Sequence, residues 1–135
     1  MEVPVPGTLK KTAINEQELV KLLQDKFSID PLVTRTYLRL VQHGEISLPD
    51  IAKMLDKPMI EVEDLLGKML SQGLVIKTAG TVSKYTALHP RMSMTNIFKV
   101  YEKELVQNLR DRRATLDRIV NLLTPVFENR EAKTR

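Results

Sequence analysis

The apolar period of this 135-residue chain changes at Leu74, and that change limits its fold more than any other feature. Up to Gly73, hydrophobic residues recur at three- and four-residue steps, as they do on helices. From Leu74 the pattern is that of strands. Leu74-Val75-Ile76-Lys77-Thr78 reads as one, Ala79-Gly80-Thr81 turns the chain, and Val82 to Leu88 reads as the return strand. After Pro90 the helical period resumes. A two-stranded hairpin is marginal alone in water, so this one must pack on helices. The expected class is mainly α with a small β-hairpin.

The helices are delimited by their caps. Asn15 followed by Glu18 opens a first helix, with Leu19, Leu22, Leu23 and Phe27 on its apolar face. Asp30-Pro31 opens a second, carrying Val33, Tyr37, Leu38, Leu40 and Val41 and stopping at Gly44. Ser47 caps a short third helix, with Asp50 in its first turn and Ile51, Ala52 and Leu55 facing inward. Asp56-Lys57-Pro58 is a turn. Pro58 starts a fourth helix that buries Val62, Leu65, Leu66, Met69 and Leu70 and ends at Gly73. Helix, helix, turn, helix, hairpin is the order of a winged helix-turn-helix, expected over residues 14–90.

A long helix is expected after it, over about residues 93–124, capped by Ser93 and stopped by Pro125. Phe98, Leu105, Leu109, Leu116, Ile119 and Leu123 fall on alternating three- and four-residue steps, with Glu102 and Arg112 interrupting the same seam. About 30 helical residues span roughly 45 Å, more than a small domain covers, so the stripe calls for a second copy. The expected division is a loose arm over 1–13, the winged domain over 14–90, a dimerisation helix over 91–125 and a charged tail over 126–135.

Composition narrows the function. With no cysteine there is no disulfide framework, thiolate metal site or cysteine nucleophile. His43 and His89 sit in different contexts and read as structural or surface groups rather than metal ligands. There is no phosphate-binding glycine loop, G-x-S-x-G or H-E-x-x-H, so neither an enzyme nor a cofactor is expected. No apolar run is long enough for a membrane span, and Met1 to Gly7 does not read as a secretory signal; a cytoplasmic protein is expected. Net charge is +4. Residues 31–78 balance to zero, whereas residues 79–135 hold eleven basic side chains against six acidic ones. The positive excess therefore follows the helix-turn-helix.

The stretch Tyr37-Leu38-Arg39-Leu40, His43-Gly44-Glu45-Ile46-Ser47, Ile51-Ala52, Gly73-Leu74-Val75 and Lys84-Tyr85-Thr86-Ala87-Leu88-His89-Pro90 resembles the archaeal TrmB-like winged-helix transcription regulators. The order and spacing of these elements over residues 31–115 carry the resemblance. It implies DNA binding, dimerisation through the long helix and a role in transcription. Members of that family can carry a sugar-binding effector domain after these elements. A chain ending at Arg135 has no room for one, so sugar sensing is not expected. The sequence departs from the family at the head of the recognition helix, where Met59, Ile60, Glu61, Glu63 and Asp64 stand in place of basic or hydroxyl residues. Phosphates repel carboxylates, although a Glu can accept from cytosine N4, and acidic groups also suit a helix N-terminus.

Two functions follow. The first is a dimeric protein bound to double-stranded DNA, a transcription regulator or nucleoid-associated protein with backbone-dominated contacts. Its expected contacts are Lys53, Lys57, Met59, Glu61 and Lys68 on the helices and the turn between them, and Lys77, Thr78, Thr81, Ser83 and Lys84 on the wing. Its dimer seam comprises Phe98, Leu105, Leu109, Arg112, Leu116, Ile119 and Leu123. The second is a winged-helix adaptor whose acidic recognition helix meets a protein partner.

Overall fold

The structure, a computed structural model, describes residues 15–134, so the arm expected over 1–13 lies outside the described residues. The elements run α1 (Glu16–Phe27), α2 (Pro31–His43), β1 (Ile46–Ser47), α3 (Leu48–Leu55), α4 (Met59–Ser71), β2 (Val75–Thr78), β3 (Lys84–Ala87) and α5 (Pro90–Thr134). This is the mainly helical fold with a β wing that the change of period predicts.

Local caps set the first three helices. The Asn15 carboxamide oxygen accepts from the Glu18 amide at 3.1 Å, and the Asp30 carboxylate accepts from that of Leu32 at 2.8 Å. The Ser47 hydroxyl accepts from the Asp50 amide at 3.4 Å. Each satisfies a backbone donor that the first turn of a helix leaves without a partner. α2 is buried on most of its circumference, through Val33, Thr34, Thr36, Tyr37, Leu38 and Leu40. α4 contributes Val62, Leu66 and Met69, all fully buried, each stabilising by about 1.5–3 kcal/mol.

The expected inward faces need three corrections. Leu22 is exposed because Val20 and Leu23 supply the buried face of α1, and Leu22 lies about 100° round the helix from Leu23. Val41 and Leu70 are exposed as well, each lying near the last turn of its helix. The core instead gains Ile29, Ile46, Leu48, Leu74, Val75, Tyr85 and Ile97.

The wing is one strand richer than the hairpin expected. β1 pairs antiparallel with β3, giving a three-stranded sheet in the order β1-β3-β2. Ile46 stands opposite Tyr85 and Ser47 opposite Lys84; on the other side Val75 meets Ala87 and Thr78 meets Lys84. Val82 and Ser83 lie outside β3, in the turn.

Ser93 does not cap the long helix. It is fully buried, and its hydroxyl lies 3.3 Å from the Leu88 carbonyl and 3.4 Å from that of Leu74, as donor. The helix begins at Pro90, whose missing N–H costs nothing at a first position, and His89 Nδ1 accepts from the Arg91 amide at 3.0 Å. Around Ser93 the base of the wing is tied down. The Leu88 amide donates to the Leu74 carbonyl at 2.9 Å, and the Tyr37 hydroxyl donates to the Leu88 carbonyl at 2.8 Å. Burial pushes the Tyr37 pKa above its ordinary value, against a smaller lowering by Ser93, which keeps the phenol protonated as a donor.

Pro125 does not end α5, and the tail expected over 126–135 is helical through Thr134. A proline inside a helix forfeits its own bond to the carbonyl four residues back and its ring crowds that carbonyl, a cost of about 3 kcal/mol, but the residues after it keep their amides for the ladder. The chain divides into a unit ending at Phe98 and a second formed by α5 from Lys99 onward. Among the described residues no helix is long and apolar enough to cross a membrane.

Candidate nucleic-acid interface

The site is built from the turn between α3 and α4, the outer surface of α4, and the wing. Lys53 lies near the end of α3 and Lys57 in the turn, both exposed. α4 starts at Met59 after Pro58 with no side-chain cap; the Glu61 and Val62 amides both donate to the Pro58 carbonyl, at 3.1 and 3.2 Å. Met59 is 49% exposed and Ile60 74%. Glu61, Glu63 and Asp64 follow on the surface, and Lys68 is the only base on this helix. The face that would enter a groove is therefore led by apolar and acidic side chains.

On the wing the register decides which residues act together. Successive side chains of a strand point to opposite faces, and residues directly opposite across a pair share one. Thr78, Lys84 and Ser47 consequently stand on one face. Lys77 stands opposite Tyr85, on the face that turns toward the core further along the strands, although its own side chain is exposed. Lys77 and Lys84 thus flank the wing from its two sides rather than forming one patch. Thr81 is exposed in the turn and Ser83 is half-buried, its carbonyl accepting from the Leu48 amide at 3.0 Å.

Glu45 was not singled out in the sequence, yet it sits at the centre of this face. Its carboxylate accepts from the Thr78 hydroxyl at 3.1 Å and lies 3.9 Å from the Lys84 ammonium. Both ions are about half exposed, so their attraction is weak. The consequence is for binding: a carboxylate engages two of the groups expected to meet phosphate. Glu45 belongs to the His43–Ser47 motif, but only the pairing of β1 with β3 places it beside them. Glu45, Thr78, Gly80, Thr81, Val82 and Lys84 line a shallow pocket at the wing tip.

Of the seam residues expected on the long helix, Phe98, Leu105, Leu109, Leu116, Ile119 and Leu123 are all exposed apolar groups, and Arg112 is exposed among them. Val126 and Phe127, beyond Pro125, are exposed too and extend the apolar surface. No group of histidine and carboxylate side chains suited to a metal ion occurs among the described residues.

The model of the TrmB family, described as a sugar-specific transcriptional regulator, matches residues 23–91, half of the chain. The curated relatives include the DNA-binding transcriptional repressor TrmBL2 of Thermococcus kodakarensis, 23% identical over 113 residues, covering 84% of this chain and 43% of the relative. A putative regulator, TrmBL2 of Pyrococcus furiosus, is 21% identical over 120 residues, 89% of this chain and 46% of that one. The chain thus spans less than half the length of these relatives. Among solved structures it resembles TrmBL2, described as an archaeal chromatin protein with a novel mode of DNA binding. The TM-score is 0.70 at 20% identity, over 83% of this chain and 43% of that one. The ST1889 protein of Sulfolobus tokodaii matches with a TM-score of 0.55 at 14% identity, over 70% of this chain and 99% of that one. With its winged-helix order, its wing tied to the start of α5 and a family match running from the second half of α1 to the first residues of α5, the chain belongs to the TrmB family.

Proposed function

We propose that this chain binds double-stranded DNA as a dimer, chiefly through the phosphate backbone, in transcription regulation or chromatin organisation. The observation that carries the mode of binding is the separation of charge. Exposed lysines flank the turn and the wing, at Lys53, Lys57, Lys77 and Lys84, whereas the leading turns of α4 carry Glu61, Glu63 and Asp64. Backbone contacts need cations and hydroxyl donors but no base-edge readers. Membership of the TrmB family and the names of the relatives support DNA as the partner. The reading takes residues 14–90 as the binding unit and the helix after it as the pairing element, with the cytoplasm as its compartment.

The test is a titration of random-sequence duplex at several salt concentrations, with wild type and with Lys77→Ala/Lys84→Ala. Wild type should bind at low salt and weaken steeply as salt rises. The double variant should bind more weakly, with the slope of log affinity against log salt reduced by about 1–2, one unit per lost phosphate contact. Absence of binding at low salt would overturn the DNA reading. Unchanged affinity in the variant would overturn the role of the wing. The exposed pair Met59 and Ile60, followed by carboxylates, favours one second reading, an adaptor that meets a protein partner through α4.

A further inference from the structure

The seam of α5 is interrupted at two positions of opposite charge, and their spacing specifies how two copies pair. Following the three- and four-residue steps, Glu102 and Arg112 occupy seam positions between apolar layers. Arg91, Thr95 and Phe98 continue the same stripe toward the start of the helix. Both charged side chains are exposed, and among the described residues neither is in an ion pair.

A parallel pair in register would set Glu102 beside Glu102 and Arg112 beside Arg112 in the desolvated seam, two like-charge layers. An antiparallel pair centred on Gln107 removes both. It sets Glu102 of each copy level with Arg112 of the other, Leu105 level with Leu109, and Phe98 level with Leu116. Antiparallel helices pack the first seam position of one heptad against the fourth of the other, and all three matches obey that rule. Gln107 itself lies on the outer side, where its side chain donates to Asp111 at 3.0 Å.

We infer that two copies of this chain pair through α5 in antiparallel orientation, centred on Gln107, with reciprocal Glu102–Arg112 contacts. This rests on the proposed pairing through α5 and adds its direction and register. Charge reversal and cysteine pairing test it, the natural chain having no cysteine. In sedimentation experiments Glu102→Arg and Arg112→Glu should each raise the dimer dissociation constant by roughly tenfold or more, and the double variant should restore it. Under mild oxidation, an equimolar mixture of Glu102→Cys and Arg112→Cys proteins should form a mixed disulfide, and neither alone should cross-link. A dimeric wild type in which Glu102→Cys cross-links to itself would overturn the antiparallel register and leave the pairing intact. A wild type that stays monomeric at about 100 μM would overturn the pairing itself, since a dimer should populate as concentration rises.

Discussion

Gly73 joins α4 to β2 with φ at +75°, in the left-handed region. Replacing it by alanine sets two costs against each other in one place. Holding a residue with a Cβ in that region costs about 1–2 kcal/mol. The added Cβ would also lie 2.8 Å from Asn96 Cγ and closer still to its amide nitrogen. That amide donates to the Gly73 carbonyl at 2.7 Å in a part-buried contact. Pushing Asn96 aside therefore breaks the bond it makes to the same residue, a further loss of about 1 kcal/mol. Gly73→Ala should lower stability by roughly 2–3 kcal/mol, a large fraction of the ~5–15 kcal/mol typical of a folded chain. Urea unfolding followed by circular dichroism measures it, in the wild type and in an Asn96→Ala background. Truncating Asn96 to alanine removes the bond and the two nearest contacts and leaves only its Cβ, 3.0 Å from the added carbon, so the cost of Gly73→Ala should fall toward the backbone share of about 1–2 kcal/mol. A loss below about 0.5 kcal/mol, or the same loss in both backgrounds, would refute the reasoning.

Two further outcomes follow from the same physics. The Thr34 hydroxyl is buried on α2 with no hydrogen-bond partner among the described residues, so Thr34→Val should raise stability by about 1 kcal/mol, read as a higher urea midpoint; a lower midpoint would mean that the hydroxyl is satisfied. Glu45→Gln keeps an acceptor for Thr78 but removes the negative charge beside Lys84, so affinity for random duplex should rise by roughly two- to tenfold at low salt, and unchanged affinity would show that this face stays clear of phosphate.

What could be read along the chain was what is decided within four or five residues. The caps at Asn15, Asp30 and Ser47 are bonds between a side chain and an amide two or three residues away, so residue type and spacing suffice to place them. The wing was legible because its change of period is local as well. Inward faces were read less well where a helix nears its end, as at Val41 and Leu70, since there the neighbouring elements decide what is covered.

Contacts between distant residues depended on the fold. β1 has two residues, too few to show a period, and exists because Ile46 and Ser47 meet Tyr85 and Lys84. That pairing brings Glu45 onto the wing, and the register of β2 with β3 sends Lys77 and Lys84 to opposite faces, although both looked alike in the sequence. Ser93 looked like a cap by type, but its hydroxyl serves the carbonyls of Leu74 and Leu88. The change from helical to alternating period at Leu74 was thus enough, by itself, to demand a wing packed on helices, because backbone pairing and apolar burial are written in local periodicity. Which groups that wing offers to a partner was decided only in the tertiary structure, because strand register joins residues about forty positions apart and periodicity carries no record of it.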